Sequence, residues 1–285
     1  MLTTIHALIR DFVATSPDNR FAETGEPYFD EPLIGFAAAD DPLFAGYKQI
    51  IGDFHRTPGE ILEGAATVIC WVLPVTRATR ESNRRETQWP SRSWALTRHH
   101  GESFNVALRR NLVAQLEARG CRAIAPQLAP EWRQLDDATV GVASTWSERH
   151  AAYAAGLGTF SLSDGLITGR GIAHRLGSVI TDLALAATPR TAPDHRHHCL
   201  WFREGSCGLC IARCPVGAIS PAGHDKTLCR EYVYSSVPAA VAERYGVTQT
   251  GCGLCQARVP CEAQIPPRKS RQPGPVVAGA SPLRP

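Results

Sequence analysis

The sequence predicts an α+β protein, with helices around a buried sheet in a larger first region and a smaller cysteine-rich module behind it. Three observations support this: the apolar run ATVICWVLPV at 66–75, helically spaced apolar residues between 104 and 116, and eight of the ten cysteines within 199–261. An apolar run without alternation is typical of a central strand covered on both faces. Apolar positions three and four residues apart predict a helix packed on such a sheet. We therefore expect an α/β or α+β domain over 1–190 and a separate module over 191–265.

The remaining elements of the first region follow from caps, periodicity and glycine stops. Thr3 or Thr4 can cap a helix that runs to about Val13. In the amphipathic helix, Arg109, Arg110 and Glu117 fall opposite the apolar stripe, and Gly120 ends it. We expect further elements at 33–39 (a short apolar run), 121–128 (strand), 147–155 (helix) and 178–186 (strand).

Composition excludes several classes of protein. An apolar content of 44% with 20% charged residues is that of an ordinary globular chain. A net charge of +3 is too small to indicate a nucleic-acid or membrane partner. The amino terminus has no charged start followed by a long apolar run, so we expect a cytoplasmic protein without a membrane anchor. The proline-rich segment 266–285 is predicted to be a disordered tail.

The cysteines form two sets of four. The first set is Cys199, Cys207, Cys210 and Cys214, and the second is Cys229, Cys252, Cys255 and Cys261. The spacing from Cys207 to Cys214-Pro215 fits the bacterial ferredoxin run, in which the last cysteine of each set binds the other cluster. This exchange predicts one [4Fe–4S] cluster on Cys199, Cys207, Cys210 and Cys261, and a second on Cys214, Cys229, Cys252 and Cys255.

The match has two irregularities, and other uses of the thiols stay open. Glu204 stands where the run would have its first cysteine, so that ligand is Cys199 or a nearby histidine (His195, His197 or His198). The last cysteine is displaced by two positions to Cys261. A zinc site would leave four cysteines without a role, and disulfides require an oxidising compartment. Cys70 and Cys121 lie in apolar runs and are expected to be small buried residues.

A glycine-rich segment is a candidate for one wall of a cofactor-binding site. Six glycines fall between 156 and 177, where close backbone approach would suit a large planar group. Gly156-Leu157-Gly158 is not a dinucleotide fingerprint, because it follows a predicted helix and Ser161 replaces the required glycine. The sequence thus gives no sign of NAD or ATP.

The segments AGLG (155–158) and LGSVITDL (176–183), with the order of the eight cysteines, resemble the epoxyqueuosine reductase family over residues 60–265. Its broader relatives include the reductive dehalogenases. The resemblance implies a nitroreductase-like, cobalamin-binding α/β sandwich followed by a two-cluster ferredoxin-like domain that reduces the cobalt. It places six residues near the corrin: Gly156, Leu157, Gly158, Thr159, Gly177 and Thr181.

The chain departs from this family at its catalytic acid. The aspartate expected six residues before Glu148-Arg149 is Val142, and the family's Gly-Lys step after AGLG is Ser161-Leu162. We expect a short, divergent member that lacks the carboxy-terminal repeat domain and acts on a different substrate or on none. A proton donor is still needed for most two-electron reductions. The candidates are His99, His100, Glu102, His150, Tyr153 and His174.

The function predicted from the sequence is that of an iron–sulfur oxidoreductase. A low-potential donor protein would reduce two [4Fe–4S] clusters, and these would reduce a cofactor, a corrinoid before a flavin, or a small-molecule substrate; nucleic acid is disfavoured. The alternative is a non-catalytic ferredoxin-type carrier whose first domain docks partners. The missing aspartate favours the carrier, whereas the glycine-rich segment and the size of the first region favour the enzyme.

Overall fold

A computed structural model of the chain describes residues 2–137 and 140–267; most of the predicted tail lies outside these residues. The α-helices are α1 (Leu2–Thr15), α2 (Pro42–Ile51), α3 (Pro58–Ile61), α4 (Arg77–Arg84), α5 (Arg92–Glu117), α6 (Glu148–Ala154), α7 (Leu200–Glu204), α8 (Leu209–Arg213), α9 (Lys226–Glu231) and α10 (Val237–Tyr245). The strands are β1 (Leu33–Ala38), β2 (Thr67–Pro74), β3 (Ala123–Ile124), β4 (Gln134–Asp137), β5 (Gly141–Ser144), β6 (Gly158–Phe160), β7 (Leu166–Thr168), β8 (His174–Thr181), β9 (Ile219–Ser220) and β10 (Gly223–His224).

The main sheet has four antiparallel strands in the order β1-β2-β8-β3. All eight residues of β2 are buried, which confirms the predicted central strand. Within it, Cys70 lies opposite Gly35 of β1 and Ser178 of β8. The remaining sheets of the described residues are two-stranded: β4-β5, β6-β7 and β9-β10.

Helices cover both faces of this sheet. On one face Ile69, Trp71 and Leu73 join the apolar residues of α1 and α5 in one core cluster. On the other face Val68, Cys70 and Val72 pack with those of α2 and α6. The alternation follows from the two-residue period of a strand, which sends successive side chains to opposite faces. The mixed helix-and-sheet class predicted from the sequence is confirmed.

Three predicted elements differ in extent or exposure. Helix α5 starts at Arg92, where the side chain of Ser91 accepts a hydrogen bond from the backbone N–H of Trp94, and Arg109 on its predicted polar side is 1% exposed. The predicted strand at 121–128 keeps two paired residues before a 3-10 turn. The last strand spans 174–181, because its first residues pair with the end of β2.

The cysteine-rich module consists of short elements with small apolar clusters. One cluster contains Tyr232, Val237 and Val241, and the other surrounds the thiols with residues such as Ile172 and Ile219. A single π-helical stretch, residues 232–236, joins α9 to α10. Among the described residues, no helix combines the length and the apolarity that a membrane crossing requires.

Candidate functional site

The structure brings the eight module cysteines into two groups, which we call the outer and the inner thiols. The outer thiols are Cys199, Cys207, Cys210 and Cys261. They line one small cavity, which Cys255 also reaches, and burial followed by the neighbouring outer thiols raises the pKa of Cys261 to about 12. Burial raises a thiol pKa because the thiolate loses its hydration.

The inner thiols are Cys214, Cys229, Cys252 and Cys255. Burial, followed by the influence of Cys229 and Cys214, raises the pKa of Cys252 to about 12. Cys255 is influenced by all three other inner thiols and also by Cys210, so it lies between the two groups. The two groups have the same members as the two ligand sets predicted from the order of the cysteines.

The chemistry of these side chains fits iron–sulfur clusters, which are held by thiolates and tuned by hydrogen bonds to sulfur. The backbone N–H of Ala218 donates to Sγ of Cys214 at 3.2 Å, and Leu254 and Ile211 donate to Cys252 and Cys210. Across the two described stretches of chain, no three cysteine, histidine or acidic side chains lie close enough together to hold a single metal ion. The two-cluster assignment stays a prediction.

The three histidines near Cys199 have other contacts. The ring Nδ1 of His198 hydrogen-bonds the carbonyl of Ile167 at 2.9 Å, and its backbone N–H donates to Oγ1 of Thr159. His195 lines a different cavity, and His197 lies 3.9 Å from Asp194. Cys199 itself lines the cavity of the outer thiols. The arrangement therefore favours Cys199 over the histidines as the remaining ligand.

Arg213 fastens the module to the first region. Its guanidinium donates to the carbonyls of Leu254 and Ala257 in the inner-thiol loop and to those of Glu86 and Asn83 at the end of α4. Each is a charge-assisted bond, which is stronger than a neutral one. The contact fixes the inner-thiol loop against the end of α4.

Glu262, directly after Cys261, makes a second attachment. Its carboxylate is 4% exposed, accepts two hydrogen bonds from Nε and one from Nη2 of Arg84 at 2.7–3.0 Å, and lies 3.3 Å from Nε of Arg80. The backbone N–H of Arg258 donates to the same carboxylate at 2.7 Å. Burial opposes ionisation, but these partners prevail and lower the pKa of Glu262.

A cavity of about 530 Å³ separates the inner thiols from the sheet region. Its lining contains the four inner thiols together with residues of α5 and β8: Trp94, Thr97, Arg98, Glu102, His174, Arg175 and Leu176. This volume is within the usual range of ligand pockets. We call it the central cavity. It offers a bound group direct access to the inner thiols.

Several polar atoms around the central cavity are buried without a hydrogen-bond partner among the described residues. These atoms are Oγ1 of Thr97, Nη1 of Arg98, Oε2 of Glu148, Nδ1 of His174 and Nε of Arg175. Buried polar groups in native proteins are almost always paired with protein or water. The cavity is therefore a place where a polar ligand would satisfy the protein's own hydrogen-bonding groups.

A second cavity of about 730 Å³ adjoins the first and shares Gln134, Val142, Arg149 and Lys226 with it. Two predicted acid candidates, His150 and Tyr153, line this outer cleft. Burial, followed by the charge of Arg149, lowers the pKa of His150 to about 3, so its ring is neutral at pH 7. A neutral ring at that pKa is a poor general acid.

The other acid candidates differ in position. Glu102 and His174 line the central cavity, whereas His99 and His100 do not line either cavity. Glu102 pairs with Arg109 at 3.1 Å and also with Arg175. His174 donates from Nε2 to the carbonyl of Leu166 at 2.8 Å, and burial lowers its pKa to about 4. The choice of a proton donor stays open.

The six residues predicted to face a corrin lie within the packed interior, and none of them lines either large cavity. A Cβ on Gly158 would lie 2.4 Å from the carbonyl oxygen of Ile167, and one on Gly177 would lie 2.5 Å from the Trp71 indole. Oγ1 of Thr181 donates to the carbonyl of Arg122. Gly156, Leu157 and Thr159 are likewise enclosed. Their assignment to a corrin stays a prediction, and the cavity lining adds residues that the motifs did not indicate.

Val142 lines both cavities at the position where the resembled family has its catalytic aspartate. It lies in β5, whose hairpin with β4 is held to the module by Lys226 Nζ, which donates to the carbonyl of Val140 at 3.0 Å. Arg230 of α9 pairs with Asp136 of β4. The hairpin thus brings an apolar side chain into the lining that the two cavities share.

No family model matches the chain. An epoxyqueuosine reductase of Burkholderia pseudomallei is 32% identical over 90 residues, which are 30% of this chain and 22% of that protein. An epoxyqueuosine reductase of Bacillus subtilis, solved with its aspartate catalytic loop swung out of the active site, matches with a TM-score of 0.51 and 17% identity over 93% of this chain and 70% of that one. Another, solved with a tRNA-Tyr stem loop, matches with a TM-score of 0.51 and 18% identity over 90% of this chain and 66% of that one.

These comparisons confirm the resemblance to epoxyqueuosine reductases that the sequence motifs indicate. The two solved structures support the fold, and the curated relative supports it in sequence over less than a quarter of that relative's length. A reductive dehalogenase also matches, at a TM-score of 0.48 that is too low to carry an argument.

Proposed function

We propose that this chain is an iron–sulfur oxidoreductase that delivers electrons to a group bound in the central cavity. Two [4Fe–4S] clusters on the outer and inner thiols would form the electron path. The observation that carries the proposal is that the inner thiols line the same cavity as residues of α5 and β8. An electron arriving at the outer thiols would thus reach the ligand through the inner ones, with Cys255 between them.

We propose a corrinoid as the group in the central cavity, with a flavin as the second choice. When bound, a corrinoid supplies a cobalt centre that accepts electrons and acts on the substrate. The chain would surround it with Trp94 and Tyr232 as flat apolar walls and with unpartnered polar atoms that can hydrogen-bond its edge. Gly253, with φ +64°, brings the inner-thiol loop so close to Trp94 that an added Cβ would lie 2.0 Å from the indole.

The substrate we propose is a small molecule that enters through the outer cleft. The cleft joins the central cavity at Val142 and Arg149, and Tyr47, His150 and Phe160 form an aromatic wall beside it. A structurally similar protein is solved with a tRNA stem loop, so an RNA substrate is the competing proposal. Binding of a tRNA stem loop to the purified protein, with the salt dependence of phosphate contacts, would favour RNA.

The primary experiment is metal analysis of anaerobically purified protein. We expect a brown protein with roughly eight irons per chain, because each of two clusters contains four. Cys255→Ser should remove roughly half of the iron, since it takes one thiolate from the inner group. Cys121→Ser is the matched control, because that half-buried thiol belongs to the first region. Unchanged iron in Cys255→Ser would contradict the ligand assignment.

A second experiment separates the enzyme from the alternative, a non-catalytic electron carrier. The carrier is favoured by Val142, because a valine offers no proton at the position where the family has its catalytic acid. Cobalamin is added to the cluster-loaded protein and its absorption spectrum is followed during reduction by dithionite. A spectral shift on binding, followed by cobalt reduction that Cys255→Ser slows, is expected for the enzyme. Normal clusters with no uptake of cobalamin or flavin would instead support the carrier.

A further inference from the structure

The wall that α5 and β8 contribute to the central cavity contains more buried positive than negative charge. Arg98 of α5 and Arg175 of β8 line this wall, and Arg109 lies behind it at 1% exposure. The acids near them are Glu102, which pairs with both Arg109 and Arg175, and Glu148, which pairs with Arg109 at 3.2 Å. Three guanidinium groups therefore face two carboxylates.

Arg98 is the arginine without an ion-pair partner among the described residues of this wall. Its side chain hydrogen-bonds Tyr234, and repulsion from Arg175, followed by burial, lowers its pKa. The pairs elsewhere around the cavity do not compensate it: Arg230 pairs with Asp136, and Arg149 donates to the carbonyl of Asp164 at 2.7 Å. Lys226 adds a further positive charge to the same lining. A buried charge without a counter-ion is costly, so an anion bound beside Arg98 would be stabilised.

The unpartnered donors of this wall come from the same residues. Nη1 of Arg98, Nε of Arg175 and Oγ1 of Thr97 are all buried without a hydrogen-bond partner in the described parts of the chain. Thr97 precedes Arg98 on α5 and is 3% exposed. Two guanidinium groups with a hydroxyl are suited to oxyanions, because guanidinium donors match the geometry of carboxylate and phosphate oxygens.

We infer that Arg98, Arg175 and Thr97 form a binding site for an oxyanion, a carboxylate or phosphate, in the lining of the central cavity. The anion supplies the missing negative charge and accepts hydrogen bonds from the three unpartnered donors. The inference deepens the proposed function, since it names a chemical class for a ligand of the same cavity. The anion site itself requires only the residues of this wall.

The test is calorimetric titration of the anaerobic, cluster-loaded protein with inorganic phosphate and with acetate at low ionic strength, where charge pairing is least screened. At least one probe should bind at a single site, and Arg98→Gln should weaken it roughly 10-fold or more. Thr97→Val should weaken it by a smaller factor, and Arg98→Lys should retain part of the affinity. The matched control is Arg110→Gln, an exposed arginine on the same helix.

Iron content and circular dichroism of each variant show whether it is folded. Equal binding in the wild type and in both Arg98→Gln and Thr97→Val, or no binding of either probe, would overturn the inference. Failure of the anion site and failure of the proposed function give different results. Arg98-dependent binding in a protein without clusters supports the anion site alone. Normal clusters with Arg98-independent binding contradict the anion site.

The oxyanion belongs either to the substrate or to the phosphodiester of a bound cobalamin. The titration is therefore repeated on protein saturated with cobalamin and on protein saturated with cobinamide, which lacks that phosphate. Binding that persists with cobalamin assigns the site to the substrate. Binding lost with cobalamin and retained with cobinamide assigns it to the cofactor, and both outcomes support an oxyanion site.

Discussion

The first region, residues 1–190, which we call the sheet region, and the cysteine-rich module are each stabilised by different interactions. In the sheet region, β2 is buried along its whole length between two layers of helices, and large apolar side chains such as Trp71, Phe104 and Leu108 are completely enclosed. Hydrophobic burial is the dominant favourable contribution to folding in such a core. This region resembles an ordinary globular domain in the source of its stability.

The module has little of this apolar burial. Its helices α7, α8 and α9 are five or six residues long, and α8 and α9 bury no residue completely. The module is attached to the sheet region by polar contacts, such as those of Arg213 and Glu262, and it contains the two groups of thiols. Helices this short are not stable by themselves. We therefore propose that a bound metal stabilises the module, whereas the sheet region folds on its apolar core.

Removal of the metal should therefore have the largest effect and should be confined to the module. We expect that, after chelation under reducing conditions, amide hydrogen exchange in residues 199–262 approaches that of an unfolded chain, because metal binding free energy is also folding free energy. Exchange in β2 should stay slow. The measurement is exchange monitored by mass spectrometry, and equal protection of the module with and without iron would contradict a metal-dependent fold.

Loss of the Glu262 carboxylate should have the next largest effect. Glu262→Gln leaves Arg80 and Arg84 without their counter-ion, and breaking a buried ion pair costs about 3–5 kcal/mol. Because Ile172 also donates to the carbonyl of Cys261 at 2.8 Å, release of this segment should loosen the outer thiols. We expect faster iron loss to a chelator and a lower denaturation midpoint.

The matched control for this variant is Glu81→Gln. Glu81 pairs with Arg77 at 2.7 Å on the same helix α4, but Arg77 is 81% exposed. Exposed pairs of this kind contribute little, so this variant should retain iron as the wild type does. Equal rates of iron loss in both variants would show that the buried attachment does not support the module.

The two regions also differ in how far the sequence predicts them. The continuous apolar run of β2 and the stripe on α5 identify the core of the sheet region, because burial requires the same side chains wherever the strands pair. The exposure of Arg109 was predicted wrongly. Helical periodicity places it on the polar side, but Glu102 and Glu148 neutralise its charge and allow it to be buried. Only the tertiary structure brings Glu148 to it.

For the site, the spacing of the cysteines predicts which thiols group together. It does not predict the residues of α5 and β8 that line the same cavity. Arg98 and Arg175 come from different elements, and no local pattern links them. A weak signal does exist, since Arg175 lies directly before the apolar segment of β8, where a charge is unusual. Pairing with the end of β2 extends β8 back to His174 and places Arg175 opposite Leu73.

The smallest of the expected effects concerns pH and belongs to the sheet region. His55 is 1% exposed, its Nε2 accepts a hydrogen bond from the backbone N–H of Ser147 at 3.3 Å, and its ring stacks on Trp146. Burial, followed by the charge of Lys48, lowers its pKa from 6.5 to about 4. The folded protein therefore keeps the ring neutral in a range where the unfolded chain binds a proton.

Above pH 6.5 the ring is neutral in both states and the fold keeps its full stability. As the pH falls towards 4, the unfolded state takes up its proton first, so the free energy of unfolding decreases progressively. A folded-state pKa of about 4, against 6.5 in the unfolded chain, corresponds to at most about 3–4 kcal/mol. Urea unfolding followed by circular dichroism at pH 7 and pH 5 should show the decline, and His55→Gln should flatten it. The exposed His100→Gln serves as the control. A pH slope unchanged in His55→Gln would locate the acid sensitivity in other groups.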